Sequence, residues 1–217
     1  MMTTTLDRTT RLRGQARGFS LLELLIAITI MAIVISIALP QLTAARRLQR
    51  LSALPRQVLT QLRAARQQAM SQRRAVTLQY DDQEKRIVMI AHLETGASVL
   101  ADPNYPNTAG STVFNSVRLT GDGITTTDIS YGIPMGLPLG ALGDGASISP
   151  LTASRKVNIT FQPDGSVIGA NGQPVDSALF FYNALLPKET ASAVSILGSA
   201  GRVKIWRYNW SANQYVE

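Results

Sequence analysis

A single apolar run constrains this chain more than any other feature of its sequence. The run extends from Phe19 to Pro40 and contains one charged side chain, Glu23. A helix rises 1.5 Å per residue, so about 20 apolar residues cover the hydrocarbon core of a bilayer. A carboxylate inside such a helix is costly, and it marks a functional position that needs a partner. The run therefore predicts a membrane-spanning helix with one built-in charge.

The charges are unevenly distributed along the 217 residues. The net charge is +7, yet residues 1–18 carry +3 and residues 46–74 contain eight arginines and no acid, which leaves −4 for the rest. This distribution weakens the inference of nucleic-acid binding that a basic protein otherwise invites. The absence of cysteine excludes a thiol nucleophile and a cysteine-based metal site. After a leader and one helix, the chain has room for one modest domain.

The start of the run resembles the cleavage and methylation signal of type IV prepilins and type II secretion pseudopilins. That signal combines a small residue at the cut, an aromatic residue after it, a glutamate four positions further on and an uninterrupted apolar helix, here Arg17-Gly18-Phe19-Ser20-Leu21-Leu22-Glu23. The resemblance implies that residues 1–18 are a leader, which a membrane-embedded aspartyl prepilin peptidase removes. It also implies that Phe19 becomes the new N-terminus and is N-methylated by the same enzyme.

Gly18 is required at the cut in this interpretation, because a side chain would hold the scissile bond away from the peptidase site. A flexible linker is the structural alternative for Gly18. An ordinary secretory signal is the alternative for the whole segment, but its apolar region is shorter and its cleavage site follows that region. Such a cut would discard the helix. The basic leader favours a cytoplasmic N-terminus, although Arg46 and Arg47 follow the helix on its other side.

Glu23 has three interpretations. In the first its carboxyl group is protonated and has no role, in the second it binds an ion or a substrate, and in the third it pairs with a cation. An unpaired buried carboxylate costs several kcal/mol, roughly, so pairing is favoured. The nearest candidate is the new amine of Phe19, in the same chain or in the next subunit of a filament. An intersubunit pair would fix the axial register, which makes Glu23 the candidate residue for filament register and assembly.

Beyond the apolar run, the pattern predicts that the helix continues to about Arg74. Small or apolar residues recur at steps of three and four, with arginine and glutamine opposite them, which is typical of an amphipathic helix. They are Leu42, Ala45, Leu48, Leu51, Leu54, Val58, Leu62, Ala65, Ala69 and Met70. Pro40 and Pro55 each remove a helical hydrogen bond and predict kinks or local unwinding. Residues 19–45 are assigned to the membrane and filament core, and residues 46–74 to an amphipathic periplasmic half.

Residues 75–217 predict an antiparallel β domain. Short β-rich runs bounded by turn residues predict its strands, at Ala75–Tyr80, Arg86–His92, Ser111–Leu119, Lys156–Gln162, Ala178–Asn183, Ala193–Leu197 and Arg202–Tyr208. Residues 163–166 and 198–201 predict hairpin turns, and the Gly- and Pro-rich residues 121–150 predict a long irregular loop. The predicted class is therefore α+β, with a long N-terminal helix packed on an antiparallel sheet.

Three further motifs make the chain similar to the GspH/FimT family of minor pilins and pseudopilins. Residues 62–73 resemble that family's Arg- and Ala-rich helical segment, residues 161–166 resemble its Pro-Asp-Gly-Ser turn, and residues 201–204 resemble its closing Gly-Arg strand. The resemblance implies the pilin fold, anchored in the bacterial inner membrane by one helix with its domain in the periplasm. The implied partners are the prepilin peptidase/methyltransferase, other pilins or pseudopilins, the inner-membrane assembly platform and the lipid bilayer.

The last predicted strand is the one place where DNA-binding chemistry is expected. Alternation puts Arg202, Lys204, Trp206 and Tyr208 on one face, and basic groups beside aromatic rings can contact phosphates and stack on bases. With Arg207, the first three are the candidate DNA-binding residues. Some members of the family, in natural transformation, are DNA receptors with a Gly-Arg-x-Arg strand, and Lys204 keeps the charge of the second arginine but loses its bidentate fork. The alternative is a half-exposed edge strand.

The sequence thus predicts a minor pseudopilin or minor pilin that helps to initiate or cap a pilus-like filament of a type II secretion system or a type IV pilus. The alternative function is a DNA receptor in a DNA-uptake pilus. An enzyme is disfavoured, because His92 is the only histidine and is interpreted as structural. We expect no catalytic residue, no cofactor and no metal site. The arginines of residues 46–74 are interpreted as a solvated face or a contact to anionic headgroups.

Overall fold

The computed structural model describes residues 20–121, 123–137 and 142–217, without the side chains of residues 43, 44 and 47. Gly18 and Phe19 therefore lie outside the described residues, as does the predicted leader. The chain divides into two compact units, Met1–Ala44 and Ala45–Glu217, and each is described by itself.

The N-terminal element is one α-helix, α1, over Leu21–Gln72. It confirms the predicted long helix to within two residues at each end. The helix continues without interruption through Pro40 and Pro55, so the predicted local unwinding is wrong. It ends where Arg73 adopts a φ of 53°, the left-handed conformation that commonly terminates helices, and the Arg74 N–H donates to the Ala69 carbonyl.

The apolar half of α1 has the properties of a membrane span. Residues Leu21–Leu42 have a mean hydropathy of 2.7, and every described side chain in this stretch is exposed. A helix of 22 residues is long enough to cross the hydrocarbon core of a bilayer. Its apolar surface therefore requires a covering of lipid or of other apolar helices.

The second unit contains nine strands and two short helices among its described residues. In chain order they are β1 (Val76–Asp81), β2 (Arg86–Ala91), α2 (Ala97–Ala101), β3 (Thr112–Arg118), β4 (Ser130–Tyr131), β5 (Lys156–Phe161), β6 (Ser177–Tyr182), α3 (Pro187–Thr190), β7 (Ser192–Leu197), β8 (Arg202–Asn209) and β9 (Gln214–Val216). A 3₁₀ turn occupies Thr126–Asp128. All seven predicted strands are confirmed, whereas β4, β9 and the short helices were not predicted.

The strands form two antiparallel sheets. The first has the order β3-β2-β1-β5, and the second has the order β4-β6-β7-β8-β9. The predicted turn at residues 198–201 closes the β7–β8 hairpin, in which Leu197 pairs with Arg202. The predicted turn at residues 163–166 reverses the chain after β5, so that Phe161 pairs with Val167. Most of the described part of residues 121–150 is irregular, with β4 and the 3₁₀ turn embedded in it.

The core lies between the second half of α1 and both sheets. Alternate residues of the central strands point toward the helix, such as Val76, Leu78 and Tyr80 of β1, because side chains alternate across a sheet. The helix contributes the buried stripe Leu51, Leu54, Val58, Leu62, Ala65 and Ala69. This confirms the central part of the predicted apolar face.

The ends of the apolar repeat lie outside the buried stripe. Leu42, Leu48 and Met70 are 49%, 40% and 47% exposed, and Ala45 is exposed as well. Met70 follows Ala69 directly and therefore points away from the stripe by about 100° of helical rotation. Leu42, Ala45 and Leu48 precede the part of the helix that packs on the sheets. The helix thus buries its apolar stripe only from Leu51 onward.

Candidate functional site

The first turn of α1 holds Glu23, the one acid of the apolar run. Ser20 precedes the helix, and its Oγ accepts a hydrogen bond from the Leu22 N–H at 3.3 Å. Ser20 and Glu23 have the Ser-x-x-Glu spacing of a capping box, and an acid in the first turn is favoured by the helix dipole. Glu23 is therefore placed to stabilise the helix end within its own chain, and this role competes with the role in filament register. The spacing is visible in the sequence and was missed there.

The three sequence motifs of the β domain and its helix meet at one point. Arg66 of α1 donates from Nε to the carbonyl oxygen of Gly165 at 3.3 Å, and Gly165 belongs to the turn after β5. Gly201, in the turn directly before β8, lies against the same carbonyl. Both glycines are buried and have positive φ, of 83° and 57°. The helix, the turn and the last hairpin therefore pack closely at this point. The packing requires glycine at residues 165 and 201, because both have positive φ and a Cβ there would clash with neighbouring atoms.

Replacing Gly201 by alanine should be strongly destabilising. A Cβ there would lie 1.8 Å from the Gly165 oxygen, and an L-residue at a φ of 57° is strained. We expect a loss of about 2–4 kcal/mol in the free energy of unfolding, measured by denaturant titration of the detergent-solubilised protein. Gly145→Ala is the matched control, because Gly145 also has a positive φ but open space around it. A Gly201→Ala loss no larger than that of the control would contradict the packing argument.

A basic groove lies beside this junction, between the exposed face of α1 and the edge of β8. It has a volume of about 630 Å³. Its cations are Arg56, Arg63 and Arg66 from the helix, and Arg202 and Lys204 from the strand. Its one acid is Glu217, whose carboxylate is bonded to the Lys204 ammonium. The structure therefore brings together two basic regions, the arginines of α1 and the cations of β8, that are far apart in the sequence.

Trp206 does not belong to this surface, which corrects one of the candidate DNA-binding assignments. The predicted alternation holds, since the Lys204 ammonium lies 5.4 Å from the centre of the Trp206 ring. However, Trp206 is only 6% exposed, because Leu142 and Ala146 pack with it over the outer face of the second sheet. Its indole N–H donates to Ser195 Oγ at 2.8 Å. The ring is unavailable for stacking on a base.

Arg207 is exposed but projects from the opposite face of β8. Its guanidinium lies near the Ser52 carbonyl of α1, at 3.5 Å, and it does not line the groove. Tyr208 contacts the rings of Trp210 and Tyr215. Of the candidate DNA-binding residues, the structure thus brings only Arg202 and Lys204 together with the helix arginines.

His92 is buried in a cluster of hydroxyl groups on the outer face of the first sheet. Its Nε2 is 2.7 Å from Thr77 Oγ1 and its Nδ1 is 3.0 Å from Thr108 Oγ1. Thr77 Oγ1 also contacts Thr160 Oγ1, which bonds the Tyr105 hydroxyl at 2.7 Å. Burial lowers the pKa of His92 and raises the pKa of Tyr105. Both ring nitrogens are satisfied, as the structural interpretation of His92 expected.

The buried His92 predicts a pH dependence of stability. Because its pKa is lower in the folded protein, the unfolded chain binds the proton first as the pH falls. The free energy of unfolding should therefore decrease as the pH drops below the unfolded value of about 6.5, and be fully recovered above it. Urea titrations between pH 5 and pH 8 measure this. His92→Gln should flatten the dependence in that range, and an unchanged slope would contradict the assignment.

Metal ligation has no support in the described part of the chain. No group of three or more His, Asp or Glu side chains there is placed to share an ion. The Asp128 carboxylate accepts bonds from the Thr125 N–H and hydroxyl and from the Asn183 amide.

Comparison with known proteins defines the class. Residues 13–39 match the prokaryotic N-terminal methylation motif, which marks prepilin-like proteins and implies processing by a prepilin peptidase and other pilins as partners. Residues 56–179, more than half of the chain, match the family of the type II transport protein GspH. The chain belongs to the GspH family of minor pilins and pseudopilins. With its apolar N-terminal helix, it is a membrane-anchored pilin or pseudopilin.

Solved structures similar to this chain include two crystal forms of the Pseudomonas aeruginosa (strain PAO1) type IV minor pilin FimU. The first is 16% identical, with a TM-score of 0.44, and the match covers 81% of this chain and 97% of that one. The second is 15% identical, with a TM-score of 0.41, and covers 76% and 96%. No curated protein sequence matches the chain.

Proposed function

We propose that this protein is a minor subunit of a pilus-like filament, with a structural role in starting or capping it. The observation that carries the proposal is the exposed apolar surface of Leu21–Leu42, interrupted near its start by Glu23. Lipid covers such a surface before assembly, and neighbouring apolar helices cover it in a filament. A carboxylate is tolerated in either setting only with a partner, and a neighbouring subunit supplies one.

The finer points of the proposal rest on the family and the signal sequence. The basic leader favours an N-terminus in the cytoplasm, so the β domain would lie in the periplasm after insertion into the inner membrane. Assembly then requires an inner-membrane platform that extracts the processed helix. A type II secretion system and a type IV pilus fit these features equally well. The identity of the genes beside its own would discriminate between them.

The neighbours of the apolar helix test the proposal directly. A photo-crosslinking amino acid at Ile28 should give adducts with other pilins or pseudopilins when the assembly machinery is present. The same amino acid at Asn115, on strand β3 of the domain, is the matched control for nonspecific crosslinking. Adducts with lipid alone at Ile28, in cells that assemble filaments, would contradict the subunit role.

A DNA receptor is the second candidate, and the positive charge of the basic groove is the observation that supports it. Five cations line one surface, so phosphate binding would release counterions and fall steeply with salt. If DNA binds there, Arg202→Ala combined with Lys204→Ala should weaken binding at every sequence and reduce the salt slope by up to about two. Fluorescence anisotropy with labelled single-stranded and duplex DNA measures both. Absence of binding at low salt would eliminate this candidate.

A further inference from the structure

The edge of β8 that faces the basic groove is open. On one side β8 pairs with β7 along Arg202–Arg207, but on the other side β9 pairs only with Arg207–Asn209. The Tyr208 N–H points to the β7 side, where it donates to the Ala191 carbonyl at 3.1 Å. Since backbone groups alternate along a strand, Val203 and Ile205 direct their N–H and C=O groups to the open side. No strand in the described part of the chain pairs with them there.

The groove beside this edge is lined by both apolar and positively charged residues. Leu59 of α1, Val203 and Ile205 are the apolar residues that line it, and the partly exposed Leu59 and Ile205 pack against the core at its edge. The five cations provide an excess of positive charge over the single acid. An unprotected edge strand is a ready template for another strand, and the charges decide which strands are accepted.

Glu217 already shows how an acid is held at this edge. It follows β9 directly, and its carboxylate is bonded to the Lys204 ammonium. The Lys204 side chain is 19% exposed and that of Glu217 is 55% exposed, so the carboxylate sits at the rim rather than inside the groove. The three groove arginines of α1 remain beside the open edge without an acid from the described residues.

We propose that the groove binds an acidic, extended segment of a partner protein, which adds as a strand to the open edge of β8. The backbone of such a segment would pair with Val203 and Ile205, its acidic side chains would meet the cations, and its apolar side chains would contact Leu59. A nucleic-acid backbone offers acceptors for the cations but no regular N–H donors for the edge carbonyls. The open edge and the apolar contacts therefore favour a polypeptide over DNA. This inference rests on the proposed function in one respect only: the acidic segment is taken to belong to another protein of the filament.

Peptide binding to the full chain in non-ionic detergent tests this inference. The probe is a fluorescently labelled peptide of alternating glutamate and valine, and its binding is followed by anisotropy at low salt. The same peptide with N-methylated central amides keeps the charge and side chains but loses the edge hydrogen bonds. We expect it to bind about tenfold more weakly or worse, as expected for two lost hydrogen bonds.

Two double variants locate the site. Arg202→Ala with Lys204→Ala should weaken the glutamate–valine peptide about tenfold, since it removes two charge-assisted contacts. Arg118→Ala with Lys188→Ala removes the same charge outside the groove and should leave the affinity unchanged. Thermal unfolding of each variant verifies that the fold is retained.

Three results would overturn the inference. The first is equal binding of the N-methylated peptide, because the edge would then not be used. The second is a single-stranded oligonucleotide of equal charge that binds more tightly at the same salt and displaces the peptide. The third is no peptide binding at low salt. Processing at Gly18 is measured separately, so a correctly processed protein that binds no peptide would overturn this inference and leave the filament role intact.

Discussion

Replacing Gly18 by arginine should leave the protein in the membrane as an uncleaved precursor that keeps its 18-residue leader. The peptidase must bring the scissile backbone into its site, and a side chain at Gly18 would hold the bond away. The effect should be close to complete, because the clash falls on the reacting bond and not on a remote contact. Intact-mass spectrometry of membrane-extracted protein measures the remaining leader.

The leader provides its own control for this experiment. Gly14→Arg adds the same charge four residues upstream and should be processed normally. In the unaltered protein, the mature N-terminus should be Phe19 with one added methyl group. Any other mature N-terminus, or efficient cleavage of Gly18→Arg, would refute the assignment of the signal.

The helix and most of the strands could be predicted because their signals are local. The stripe from Leu51 to Ala69 follows the 3.6-residue period, and the seven predicted strands are bounded by turn residues. The missed strands β4 and β9 have two and three residues, too few to show an alternating pattern. These two strands are defined by their pairing, β4 with β6 and β9 with β8, and not by a pattern of their own. Leu48 and Met70 of the repeat are nevertheless exposed, because periodicity does not show where the packing partner begins or ends.

The burial of Trp206 could not be predicted from the alternation of side chains along β8. The period of two placed Lys204 and Trp206 on one face of β8, and the structure agrees. It could not show that residues 142–146 return to cover that face. A Cβ on Gly143 would lie 3.1 Å from the Trp206 ring, so the covering loop approaches closely. The burial of Trp206 therefore depends on a loop far from it in sequence.

The basic groove could not be predicted either, because it also depends on how distant parts of the chain pack together. The arginines of α1 and the cations of β8 were each recognised, but their union depends on which edge of the second sheet lies beside the helix. The contact of Arg66 with Gly165, and of Gly201 with the same carbonyl, fixes that arrangement. The three family motifs, which are separate in the sequence, therefore contact one another in the structure through Arg66, Gly165 and Gly201.

Glu23→Val should leave processing and membrane insertion intact but reduce entry into filaments by about tenfold or more, because the loss of a buried charge pair falls on the contact between subunits. Crosslinking to neighbouring pilins and the content of sheared filaments measure this. Thr29→Val is the matched control, since the Thr29 hydroxyl is already bonded to the Leu25 carbonyl within the same helix. It should change neither quantity.

Two further variants separate filament register from helix capping. Glu23→Gln keeps the hydrogen-bonding shape of a capping box and removes the charge, so we expect intermediate filament entry if the charge pairs with the Phe19 amine. Ser20→Ala weakens the cap and keeps the charge, and should therefore enter filaments nearly normally. Full activity of Glu23→Gln together with a defect in Ser20→Ala would assign Glu23 to the helix end. In that case the intersubunit pair would be wrong, and the register of the filament would have to come from the packing of the apolar side chains alone.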